Sequence, residues 1–212
     1  MSCLLFSFFR KGAQFMEAEV KNTETEKKVS AAGEVFEWLE VVVSALLAVV
    51  IIFTFAFRVA TIVGRSMENT LIEDEKIIIT DWFYTPKAGD IVVISRNIEN
   101  NADLSDDNGP IIKRVIATEG QTVDIDFERG IVYVDGVALD ESYTKTLTNL
   151  RYDVKFPVRV PEGHVFCLGD NRNDSLDSRS TRIGNGGMID KRYILGKAVF
   201  RVLPLDKFGG IN

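Results

Sequence analysis

The chain has 212 residues, 46% of them hydrophobic and 26% charged, with a formal net charge of −6. That balance excludes an intrinsically disordered chain and calls for a packed core. It also argues against a nucleic-acid binder, because phosphate neutralisation needs a concentrated Lys/Arg surface and the basic residues here are dispersed among acids. His164 is the only histidine, and Cys3 and Cys167 are the only cysteines. Two such cysteines build no disulfide framework, and without CxxC or HxxxH spacing no zinc site is expected, so the sequence calls for no cofactor.

Residues 1–37 open with a short apolar patch, Leu4 to Phe9, and turn into mixed acids and lysines from Glu17 to Lys28. The patch is too short to span a bilayer, and the segment is predicted to be a disordered tail. Val41 to Phe57 is an uncharged run of seventeen residues between Glu40 and Arg58, with Trp38 near one end. As a helix it covers about 25 Å, which predicts a transmembrane anchor over 38–57 with Trp38 at the interface. About forty residues precede the run and no small-x-small site closes it, so an uncleaved anchor is expected rather than a secretory leader. Lys21, Lys27 and Lys28 before it balance Arg58, Arg65 and Lys76 after it, and charge alone does not orient the span.

Beyond the anchor the pattern changes to short β-branched runs. Lys76 to Asp81, Asp90 to Ser95, Ile111 to Ile116, Thr122 to Asp126, His164 to Leu168 and Ala198 to Val202 are predicted strands. Ile131 to Val134 followed by Asp135-Gly136 predicts a hairpin. The polar stretches between Ser95 and Ile111 and from Asp140 to Lys155 lack periodicity and are expected to be surface loops. Residues 58–212 are thus predicted to form one mainly β domain.

Three segments carry residues that could do chemistry. Gly64 stands two residues before Ser66, which leaves the serine approachable. A serine hydroxyl is inert without a base. The lone His164, in a turn that opens a strand, could complete a triad, but an exposed turn histidine is the plainer interpretation. Lysine can replace histidine where burial disfavours its ammonium form. Lys113 lies inside the apolar run Ile111 to Ile116, and strand alternation puts it and Arg114 on opposite faces. The third segment, Gly169 to Arg179, reads GDNRNDSLDSR and supplies carboxylates to pair with arginines and hydroxyls to orient an amine.

In this order the segments resemble bacterial type I signal peptidase, a Ser-Lys protease that removes signal peptides at the membrane. The family pattern is an anchor, SMxPTL, a GD-containing strand, a KR strand and GDNRxxSxDSR; here these stand as SMENTL from Ser66, Gly89-Asp90, IKRVIATEG from Ile112, and GDNRNDSLDSR. The resemblance covers most of the chain, and its last motif is highly specific. It implies coiled antiparallel sheets, Ser66 as nucleophile, Lys113 as general base and Ser175 holding the Lys113 amine. It further implies Asp170 paired with Arg114, Asp177 with Arg179, and the Ser66 backbone N–H serving the oxyanion, with Gly64 where some relatives have a hydroxyl donor. Small-residue pockets lined in part by Met67 and Leu71 follow from it. So do signal peptides of exported preproteins and the lipid bilayer as partners, a cytoplasmic tail and an extracytoplasmic β domain.

The chain departs from the pattern at Asn69 and in Ala117-Thr118-Glu119-Gly120-Gln121, where the family has prolines, and GNGG at 184–187 looks like a small insertion. These positions shape loops and substrate preference before they touch reacting groups. Two rivals stay in view. A self-cleaving repressor-type protease shares a Ser-Lys pair, but residues 1–37 are too short for a DNA-binding domain. A membrane-tethered β domain that only binds a partner would have no need of both Ser66 and Lys113.

Overall fold

The computed structural model describes residues 31–95 and 109–211. The expected disorder of residues 1–30 and most of the loop before Ile111 lie outside the described residues. Helix α1 runs Ala31–Ala56, so helix replaces the expected tail over 31–37. The physical reason is that Glu34, Glu37 and Glu40 interrupt the apolar run without interrupting helix: glutamate is a good helix former, and Glu34 in the first turn complements the positive end of the helix dipole. Within α1, Gly33–Thr54 is a 22-residue stretch long and apolar enough to cross a membrane, with its side chains outward. At 1.5 Å per residue it measures about 33 Å.

The domain that follows is built from twelve short strands among the described residues, all paired antiparallel. One sheet has the order β1-β2-β11-β3-β4-β9-β10, from Arg58–Thr61, Lys76–Thr80, Ile194–Leu203, Ile91–Ile94, Ile111–Thr118, His164–Leu168 and Ile189–Asp190, with β12 (Gly209–Gly210) also on β11. The second runs β7-β6-β5-β8, from Val137–Ala138, Ile131–Val134, Thr122–Asp126 and Val158–Arg159. The predicted hairpin is present: Asp135 and Gly136 both take positive φ, as a tight two-residue turn between β6 and β7 requires.

Burial explains the sequence pattern. Strand β3 reads IVVI because both of its faces are covered. Ile91 and Val93 face a cluster with Ile77, Ile79 and Ala198, whereas Val92 and Ile94 face another with Val115, Val165 and Ile189. A third cluster joins β4 and β9 to the second sheet through Ile116, Phe166, Leu168, Val123 and Val132. Strand β4 crosses the middle of the larger sheet, and this is what buries Lys113 and Arg114 together although their side chains alternate. Strand β11 is twice the predicted length, and its bulges against β2 and β3 account for the broken hydrophobic pattern that hid its first half.

Candidate active site

The serine lies just past β1, where the chain winds into a helical turn: Glu68 N–H donates to Arg65 O at 3.1 Å and Leu71 N–H to Met67 O at 2.8 Å. The turn carries Ser66 to one side and drives Met67 and Leu71, one turn apart, to the other. Gly64 enters it with φ of +82°, a conformation natural to glycine. Strand β4 presents Lys113, only 3% exposed, with its Nζ 2.8 Å from Ser66 Oγ. The same amine donates to the Ile112 carbonyl at 2.9 Å. Both residues open into a cleft of about 470 Å³ whose walls include Ile112, Tyr152, Ser175 and Leu176.

Behind the pair, Arg114 makes a forked ion pair with Asp170: Nε donates to Oδ1 at 2.9 Å and Nη2 to Oδ2 at 2.8 Å, both side chains almost fully buried. Arg114 also donates to Gly89 O, and Thr70 Oγ1 donates to Asp170, so one buried ion pair ties the serine turn, the GD turn and β4 together. Asp177 and Arg179 form a second buried pair at 2.8 Å, and Asp177 Oδ2 accepts from Gly169 N–H. Asn171 closes the frame by donating its backbone N–H to Ser66 O and its side-chain amide to Arg65 O.

A family model described as signal peptidase, peptidase S26, matches residues 35–203. The chain is 35% identical to a probable signal peptidase I-1 of Synechocystis sp. over 79% of its length and 83% of that protein. It is 30% identical to signal peptidase I of Bacillus licheniformis, over 86% of this chain and 96% of that one. The chain belongs to the signal peptidase family. A solved signal peptidase I from Enterococcus faecalis is 26% identical, with a TM-score of 0.39, covering 54% of this chain and 97% of that one. This signal peptidase is mainly β after one apolar helix among the described residues, and it is a membrane-anchored serine endopeptidase.

Several expected positions fall differently. Met67 and Leu71 are sealed in the core at 2% and 0% exposure, packed with Ile77, Ile79 and Val93. The helical turn that presents Ser66 buries them, and the apolar walls of the cleft come instead from Ile111, Ile112, Leu176 and Ile183. Ser175 lines the cleft, yet its buried Oγ has no hydrogen-bond partner among the described residues, so the expected bond to Lys113 is not made; the amine is taken up by Ser66 and the Ile112 carbonyl. His164 sits at the outer start of β9 with Nδ1 2.7 Å from Glu162 O, away from the residues that line the cleft.

The departures from the family pattern have local explanations in this signal peptidase. Asn69 reaches the Tyr143 carbonyl at 3.5 Å. Glu119 pairs with Lys191 and accepts from Gly163 N–H, contacts that hold its carboxyl below the ordinary range, Lys191 first. Gly186 and Gly187 turn a small hairpin between Asn185 and Met188, and a Cβ on Gly187 would stand 2.4 Å from Ser178 O, so the insertion packs directly on the DSR motif. Sequence reasoning gave no role to Arg172, which is fully buried and forked onto Glu141 while donating to Gly169 O. The signal was present as an arginine inside a motif that otherwise supplies acids and hydroxyls.

Proposed function

We propose that Ser66 is the nucleophile and Lys113 the general base with which this signal peptidase removes N-terminal signal peptides from exported preproteins, cutting after small-x-small sequences. The observation that carries this reading is the 2.8 Å approach of Lys113 Nζ to Ser66 Oγ in an open cleft. Burial of the amine in β4 favours its neutral form. The neutral amine takes the Ser66 proton as Oγ attacks the scissile carbonyl, and the Ser66 backbone N–H stabilises the developing oxyanion. Lys113 then returns the proton to the departing amine and activates the water that releases the acyl chain. Ser175, Gly64 and the Arg114–Asp170 and Arg179–Asp177 pairs support the site.

The organisation that suits this activity is a tail before the apolar helix, a single-pass anchor through the lipid bilayer, and a catalytic domain on the extracytoplasmic side with the N-terminus cytoplasmic. The exposed apolar surface of α1 and the exposed Trp82 and Phe83 on the domain support contact with lipid. Nucleic acid has no place in this scheme.

The test is cleavage of a purified preprotein in detergent by wild type, Ser66→Ala, Lys113→Ala and His164→Ala, with product masses fixing the cut. Loss confined to the first two variants, with cutting after a small residue, supports the dyad. Loss in His164→Ala would reassign the base, and an inert wild type would favour a binding domain.

A further inference from the structure

Between β7 and β8 the chain has neither strand nor helix, yet residues 139–157 touch each of the three segments that build the active site. Tyr143 lays its ring on the Arg114 guanidinium, 4.0 Å from the ring centre, and its carbonyl accepts from Asn69. Lys145 N–H donates to Asp170 O at 3.0 Å, and its ammonium pairs with Glu68 in the serine turn. Leu150 O accepts from Arg179 Nη1 at 2.9 Å, and Val154 N–H donates to Arg179 O at 3.0 Å. The last two contacts flank Tyr152 on either side and fix the direction in which its ring points.

That direction is into the cleft beside Ser66 and Lys113. The Tyr152 hydroxyl donates to the Ser175 carbonyl at 3.1 Å, and Arg179 Nη2 donates to the same oxygen at 3.3 Å. The Arg179 guanidinium also stands 5.4 Å from the Tyr152 ring centre. Ser175 therefore has its carbonyl pinned from two sides while its own Oγ, buried and unpartnered among the described residues, is held by nothing but the position of its backbone. Little slack exists there: Ser175 crowds Gly169 so closely that a Cβ on Gly169 would fall 2.5 Å from Ser175 Cβ and 2.5 Å from Ser66 O. A displacement of Ser175 is thus passed through Gly169 to the serine turn, whose hydroxyl meets the Lys113 amine.

From this geometry we infer that Tyr152 is a positioning residue of the signal peptidase site, its phenol fixing the Ser175 carbonyl and through it the packing of Ser175 on Gly169 and on the serine turn whose hydroxyl meets Lys113. The inference rests on the Ser66–Lys113 reading. Partial burial raises the pKa of the Tyr152 phenol, which keeps it protonated and donating across the working range of pH. The strap 139–157 is then a part of the catalytic apparatus that has no regular structure of its own.

The experiment compares full-length wild type and Tyr152→Phe in detergent on a preprotein, with enzyme concentration fixed by stoichiometric labelling of Ser66 by an acylating inhibitor and with melting curves recorded on both. Tyr152→Phe keeps the ring and loses only the donor. The expected result is a fall in kcat of about three- to tenfold at unchanged KM, consistent with loss of one hydrogen bond. The acid limb of the kcat profile should also move to higher pH, because a displaced serine turn opens the Lys113 amine to water, which favours its protonated form. An unchanged kcat and acid limb, a loss that falls on KM alone, or a loss matched by a large drop in melting temperature would each overturn the inference. Ser66→Ala run alongside separates the two levels: if it still cuts, the dyad reading fails irrespective of what Tyr152 does.

Discussion

Asp170→Asn is the sharpest single test of how the site is held together. The change keeps the shape of the side chain and removes the charge that answers Arg114, whose guanidinium is 4% exposed and donates to both carboxylate oxygens. Leaving a buried cation without its partner costs about 3–5 kcal/mol. For a domain of this size each kcal/mol shifts the melting temperature by about 2–4 °C, so a drop of roughly 6–20 °C is expected. Differential scanning calorimetry of the full chain in detergent reads it. The double variant Arg114→Met with Asp170→Asn should be less destabilised than Asp170→Asn alone, since removing both charges leaves neither uncompensated. Activity should not recover in the double variant, because Thr70 and Gly89 lose the group that ties them to β4. A drop of under about 2 °C for Asp170→Asn, or strictly additive losses in the double variant, would refute the idea that this pair is the structural centre of the site.

Gly169→Ala places a Cβ 2.2 Å from Ser175 Oγ and 2.5 Å from Ser66 O, so preprotein cleavage should fall by about a hundredfold, as expected when reacting groups are displaced by an ångström; activity within twofold of wild type would contradict the packing described. Gly187→Ala combines a φ of +92° with a Cβ 2.4 Å from Ser178 O, and thermal unfolding should register a loss of about 1–3 kcal/mol. Hydrogen bonds first from Arg65 and then from Lys145 hold the Glu68 carboxyl at about 2, against an ordinary 4.5. A depressed folded-state value stabilises above the unfolded value and is lost as pH falls through the folded one. The melting-temperature gap between wild type and Glu68→Gln should therefore be full at neutral pH, narrow below pH 4.5 and close near pH 2; a gap constant with pH would rule out the charge as its source.

Sequence alone disclosed the elements whose pattern is local. The uncharged run before Arg58, the β-branched strands and the Asp135-Gly136 turn each reflect one rule of backbone chemistry, and each stands in the structure. Lys113 was legible because a lysine inside IIKRVI is anomalous, and β4 buries it as that anomaly suggests. The strand content of 194–197 was hidden because Gly196 and the bulges of β11 break the two-residue period. Helix at 31–37 is hidden in the sequence because Glu34, Glu37 and Glu40 end the apolar stretch without ending the helix.

What local pattern leaves open is the direction a motif residue faces once its turn is wound. SMENTL places Met67 and Leu71 close to Ser66 in sequence, but a helical turn separates neighbours by about 100°, and residues four apart share a face turned away from the one that holds Ser66. The walls of the cleft come from elsewhere: Ile112 arrives on β4, Leu176 on the GDNR segment and Tyr152 on the strap. The strap itself is invisible to periodicity because its order comes from partners outside it, Arg172 and Arg179, whose guanidinium groups donate to carboxylates, carbonyls and the Thr148 hydroxyl that the strap and the GDNR segment bring to them. An irregular segment that answers two fully buried arginines is as constrained as a strand, and in this signal peptidase its constraint is directed at the cleft that holds Ser66 and Lys113.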